Sequence, residues 1–191
     1  MENIQGFLIL NFYALFLIIA ISIIFFSKKR QKQIEDKAYA KFLITNIAMS
    51  ISGLILGIIV TPRLNINPGI IAIANKLYLV CLLIWIAILT FYTVYISLNN
   101  KEKTQSLKTF FYIITMILIA IIMCLPINVE MISNTALASG PAIIFTYLIF
   151  GIGFITQLIC ILIDHKNFKN KKYIPIYLLI VLGIIILIVQ M

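Results

Sequence analysis

Six apolar stretches, each about as long as a bilayer is thick, divide this chain, and short polar segments separate them. They fall at 6–26, 42–60, 69–98, 107–125, 140–163 and 173–190. A hydrocarbon core about 30 Å thick is crossed by about 20 helical residues. No water there can bond the backbone N–H and C=O groups, so a spanning segment must bond to itself. The sequence therefore predicts an all-α fold, a polytopic transmembrane helical bundle of about six helices forming a single domain over 1–191. Composition points the same way. Only 11% of the residues are charged and 63% are hydrophobic, whereas a soluble domain carries about 25% charged residues.

Prolines and glycines punctuate the runs. The second closes at Thr61-Pro62-Arg63, the fourth stops at Pro126, the fifth opens at Gly140-Pro141, and Pro175 stands near the first turn of the sixth. Proline is tolerated in a first turn because the N–H it lacks has no helical partner there. The third run is longer than one span needs and is expected to tilt or to extend past the bilayer. The stretch 128–139 is polar with few charges and reads as a loop. A cleavable signal peptide carries its basic residues before its apolar core. Here Glu2 precedes the first run and Lys28-Lys29-Arg30 follows it, so that segment reads as a retained helix.

Orientation follows from the cations. Of the 15 Lys and Arg residues, six lie in the first loop (Lys28, Lys29, Arg30, Lys32, Lys37, Lys41). Three lie in the third (Lys101, Lys103, Lys108) and four in the fifth (Lys166, Lys169, Lys171, Lys172). The second loop has Arg63 alone and the fourth has none. The positive-inside rule places the first, third and fifth loops in the cytoplasm and the amino terminus outside. The chain stops at Val189-Gln190-Met191, straight from an apolar run with no charged anchor, an ending expected of a truncated chain.

The same distribution argues against nucleic acid. A net charge of +9 gathered into inter-helix loops is an orientation signal, whereas a nucleic-acid groove needs its cations on one folded face. Metal and cofactor chemistry have no matching residues either. The single histidine, His165, sits beside Asp164 in a lysine-rich loop, and Cys81, Cys124 and Cys160 are scattered in apolar runs. Four of the six carboxylates fall in loops assigned to the cytoplasm, which leaves no buried acid–base pair, and no phosphate-binding glycine loop occurs. No catalytic residue, metal or cofactor is assigned.

Two groups of residues stand out. Gly53 and Gly57 form a GxxxG in the second run, spacing that lets two helix backbones approach closely, here within the bundle. Lys76, beside Asn75, lies about two turns into the third run, where an ionisable group needs a reason. It reads either as a lysine reaching back to the interface or, with Arg63 and Glu130, as a polar cluster at the outer face able to hold a ligand. Asn46 and Gln157 are read as donors to inter-helical hydrogen bonds.

Several stretches resemble the membrane sensor regions of signalling proteins from Bacillota, sensor histidine kinases above all. They are Phe26-Ser27-Lys28-Lys29-Arg30, Glu35-Asp36-Lys37-Ala38-Tyr39, and Asn75-Lys76-Leu77-Tyr78-Leu79-Val80 with Trp85, Phe91 and Tyr92. Ser139-Gly140-Pro141-Ala142 and Lys172-Tyr173-Ile174-Pro175 complete the set. The resemblance implies a multi-pass protein of the bacterial cell membrane, a homodimer, that responds to a ligand at its outer face or in the bilayer. In such proteins a further helix leads to a cytoplasmic kinase or cyclase domain, and this chain holds no phospho-acceptor or ATP-binding motif. A second expectation is a transport component, since six helices in 191 residues also resemble the substrate-binding subunits of energy-coupling-factor transporters.

Single cysteines placed in a background lacking Cys81, Cys124 and Cys160 test the orientation. An impermeant thiol reagent applied to intact cells is expected to spare positions beside Lys29, Lys103 and Lys171. Labelling of the first loop would reverse the topology.

Overall fold

A computed structural model describes residues 2–27, 34–60, 67–98, 104–132 and 135–163. It contains five helices, α1 (Glu2–Ser27), α2 (Ile34–Ile59), α3 (Pro68–Leu98), α4 (Thr104–Cys124) and α5 (Pro141–Ile163). Strands β1 (Asn128–Ile132) and β2 (Thr135–Ser139) stand between α4 and α5. Four of the helices carry stretches long and apolar enough to cross a membrane: Ala40–Ile59, Pro68–Tyr95, Gln105–Cys124 and Pro141–Ile163. In α1 the corresponding apolar stretch is the shorter Leu15–Ile24. This is the build of a multi-pass membrane protein. The expected sixth run, 173–190, lies outside the described residues.

Helix starts explain two of the boundaries. The Asn67 side chain accepts the Gly69 N–H at 2.8 Å, and the Asn67 carbonyl accepts from Ile70 at 2.9 Å. Asn67 is thus an N-cap, with Pro68 in the first helical position where no N–H is needed. The fifth helix opens differently. The Gly140 carbonyl accepts from Ile143 and Ile144, and Gly140 itself holds φ 128°. A Cβ there would also lie 3.1 Å from the Pro126 carbonyl oxygen. Glycine therefore meets two demands at this corner, a backbone angle that L-residues avoid and a close pass over the end of α4.

The stretch read as a loop is instead an antiparallel hairpin. Asn128 pairs with Ser139, Glu130 with Leu137 and Ile132 with Thr135. Polar Asn128 and Glu130 alternate with Val129 and Met131, the period of a strand with one face toward apolar surroundings. The bundle is otherwise helical, and the hairpin packs on α3.

Helix α3 is the centre. It packs against α2, α4, α5 and both strands, while α1 packs on α2. Its 31 residues span about 46 Å at 1.5 Å per residue. Two clusters form the core. Leu79 and Leu83 of α3 meet Ile122 of α4 and Ala142 of α5 near the hairpin. Farther from it, Trp85, Ile86 and Leu89 of α3 meet Phe42 of α2 and Phe150 of α5. The pairings make α5 run parallel to α3. Buried Ala142, Thr146, Phe150 and Gln157 recur at three- to four-residue multiples, so one stripe of α5 faces the centre. Gly53 and Gly57 are both buried in α2.

Replacing Gly140 with alanine should destabilise the protein by more than about 1 kcal/mol, because alanine must take a positive φ it resists. Thermal unfolding in detergent, compared with Gly151→Ala, checks this. A Cβ at Gly151 meets nothing within 4 Å, so only the Gly140 variant should lose stability.

Candidate functional site

The charged residue inside α3 has a structural partner. Lys76 Nζ donates to the Met123 carbonyl oxygen at 2.6 Å. Met123 stands one residue from the end of α4, among the last carbonyls of a helix that have no N–H to accept from. The preceding Ile121 carbonyl is taken by Leu125 N–H at 3.0 Å. A lysine at this end also meets the negative pole of the helix dipole. Lys76 therefore ties α3 to α4 by capping it, a role that neither sequence expectation contained.

The other residues of the expected polar cluster are arranged separately. Asn75 Nδ2 donates to the Ile71 carbonyl one turn back at 2.9 Å, within its own helix. Glu130 is exposed on β1, paired through its backbone with Leu137. Arg63 lies outside the described residues. The Lys76 ammonium thus sits on a carbonyl of α4, and the Asn75 amide bonds its own turn.

A second polar feature runs between α3 and α5, away from the hairpin. Gln157, fully buried, donates from Nε2 to Thr90 Oγ1 at 3.1 Å, the inter-helical bond expected of it. One turn earlier Gly153 brings the backbones together. A Cβ there would lie 2.8 Å from Ile86 Cγ1 and 3.2 Å from Thr90 Oγ1, so no larger residue fits without movement. One turn later Cys160 is within hydrogen-bonding reach of Ser97. Thr90, Thr93 and Ser97 on α3 are spaced at three and four residues, as are Gly153, Gln157 and Cys160 on α5. Residues so spaced share a helix face. They form a polar seam in an otherwise apolar interface.

Two groups in this region are left incomplete. Gln157 Oε1 and Trp85 Nε1 are buried, with no hydrogen-bond partner among the described residues. Trp85 is stacked on Phe150 (centroids 5.9 Å apart, planes 6° apart) and tilted against Phe42 at 5.9 Å. Leaving a buried polar atom unbonded costs about 1–3 kcal/mol. The hydroxyl of Thr93, also fully buried, donates to the Leu89 carbonyl of its own helix at 2.9 Å.

An open apolar groove of about 330 Å³ lies between α1 and α2, lined by Ile9, Phe12, Tyr13 and Leu54. Its walls suit hydrocarbon. The sequence shows hydroxyl residues at helical spacing in one apolar run and Gly, Gln and Cys at helical spacing in another, which by itself does not mark a seam. Which two runs face each other is what a sequence does not display.

If Lys76 is a cap, Lys76→Met should lower thermal stability by about 1 kcal/mol. Lys76→Arg should retain most of it, since a guanidinium can also reach the α4 carbonyls. Unchanged stability in Lys76→Met would make the bond to Met123 incidental. No family model, curated protein or solved structure matches the chain.

Proposed function

We propose that this chain is the transmembrane sensing region of a bacterial signal-transduction receptor, of the sensor histidine kinase kind. Its basic loops and the far ends of α3 and α5 lie toward the cytoplasm in this reading, and the hairpin lies outside. The observation that carries it is the position of α3. This one helix is capped onto α4 near the hairpin through Lys76 and is zipped to α5 toward its other end through Thr90. A stimulus that displaces the hairpin or the end of α4 has a continuous path along α3 to the opposite side of the membrane. The stimulus acts by binding one arrangement of these helices better than another.

The proposed place of contact with an outer-face or membrane-borne ligand is Lys76, Asn75 and Glu130, together with Arg63, which lies outside the described residues. Receptors of this kind work as homodimers, and the proposal includes a second copy in the bilayer. No catalytic step is assigned to the chain itself. Its expected output is mechanical, a change of helix packing passed to a kinase or cyclase domain.

The gene beyond the codon for Met191 tests the reading. A frame that continues through a further helix into a histidine-kinase or cyclase domain supports it. A stop codon beside genes for a transporter ATPase would replace it with the transport component. In a full-length receptor, Lys76→Gln should change the output measured by a reporter while membrane abundance stays normal. An unchanged response would remove Lys76 from the sensing path.

A further inference from the structure

The polar seam has one more hydroxyl than its present bonds use across the interface. Thr90 accepts from Gln157, and Ser97 is in reach of Cys160. Thr93 lies between them in sequence and on the same face, yet its proton goes back to Leu89 of its own helix. Gln157, which bonds Thr90 one turn away from Thr93, has an Oε1 that is buried and unpaired among the described residues. A buried donor and a buried acceptor without a donor thus lie about one helical turn apart along the same seam.

We infer that the α3–α5 seam is a two-state hydrogen-bond switch in which the Thr93 hydroxyl exchanges between the Leu89 carbonyl and Gln157 Oε1. In the first state, the one described here, Thr93 bonds within α3. A threonine bonded back to the carbonyl four residues earlier favours a slight bend in its helix. In the second state the hydroxyl rotates and donates to Oε1, while Nε2 keeps its bond to Thr90. Side chains three residues apart on a helix have Cβ atoms about 5–6 Å apart, a separation one carboxamide can bridge with its two ends. The Leu89 carbonyl keeps its ordinary helical bond from the Thr93 N–H. The number of bonds from Thr93 is unchanged, and the orphaned acceptor is satisfied.

Opposing terms keep the two states close. The second state removes an unsatisfied buried group, and it draws α5 toward Thr93, against the tight fit of Gly153 on Ile86 and the Trp85–Phe150 stack. Packed interfaces answer such opposition by holding discrete arrangements. The exchange straightens α3 and closes its far end on α5. As the carrier of a signal this switch rests on the sensing reading; as a pair of hydrogen-bond states it does not.

The test uses the full chain, labelled with nitrogen-15 at glutamine and held in lipid nanodiscs. There are six glutamines, and the signal missing from Gln157→Leu identifies the side-chain amide of interest. Wild type is expected to show two Gln157 environments whose proportions vary with temperature. Thr93→Ser, which keeps the hydroxyl, should retain both, and Thr93→Val should show one. A single environment in wild type over the whole temperature range overturns the inference, as does survival of both in Thr93→Val. Should Thr93→Val fail to fold, Thr93→Cys takes its place: its weak thiol donor must shift the proportions, and unchanged proportions overturn the switch. A gene lacking an output domain would end the sensing reading and leave these signals as they are.

Discussion

The demand that shapes this protein is that α3 must be packed on three sides by helices that hydrocarbon solvates equally well. In water a Leu-rich helix is driven against its neighbours, but in lipid that drive is absent. Association must come from close contact, aromatic stacking and bonds between polar groups. Each appears along α3 in turn. Lys76 reaches the end of α4, Trp85 lies flat on Phe150, Gly153 admits Ile86 and Thr90, and Gln157 bonds Thr90. Beyond its two buried clusters the protein also carries many large apolar side chains on its outside. Phe12, Phe16, Tyr112 and Leu162 are all exposed.

How much of this was legible in the sequence depends on the range of the interaction. The helices were, because hydropathy over 20 residues is a local property that the bilayer reads directly. Their starts were legible more finely than the apolar runs suggest. Asn67-Pro68-Gly69 spells an N-cap followed by a proline at the first position, and α3 begins there. The hairpin was not read, since five residues of weak alternation lose to the stronger impression of a polar loop with few charges. Its closing corner was better marked: Gly140 before Pro141 signals a helix start, and the positive φ explains why glycine in particular stands there.

The candidate site shows the limit from the other side. That Lys76 needs a partner follows from the cost of a charge in an apolar run. That the partner is a backbone carbonyl 47 positions away does not. A neutral acceptor leaves no trace in composition, because every residue has one. Sequence reasoning looks for a carboxylate to answer a lysine and so turned to Glu130. The seam was hidden for a related reason. Thr90, Thr93 and Ser97 can each bond within α3, so nothing local distinguishes them from the other threonines that do so, such as Thr146, which donates to Ala142 at 2.8 Å.

The two halves of the seam are 67 residues apart in the chain, and this separation is also an interval of time. Synthesis proceeds at about 5–20 residues per second, so Thr90 precedes Gln157 by about 3–13 s. A chain threaded into a membrane as it is made must hold α3 there through that interval before α5 exists. The hydroxyls of Thr93 and Thr146 lose nothing by waiting, since each is bonded within its own helix. The Trp85 ring and the slot that Gly153 will occupy have no such provision. Until α5 arrives, the surface of α3 that it will cover is open to lipid and to any insertion factor able to shelter it.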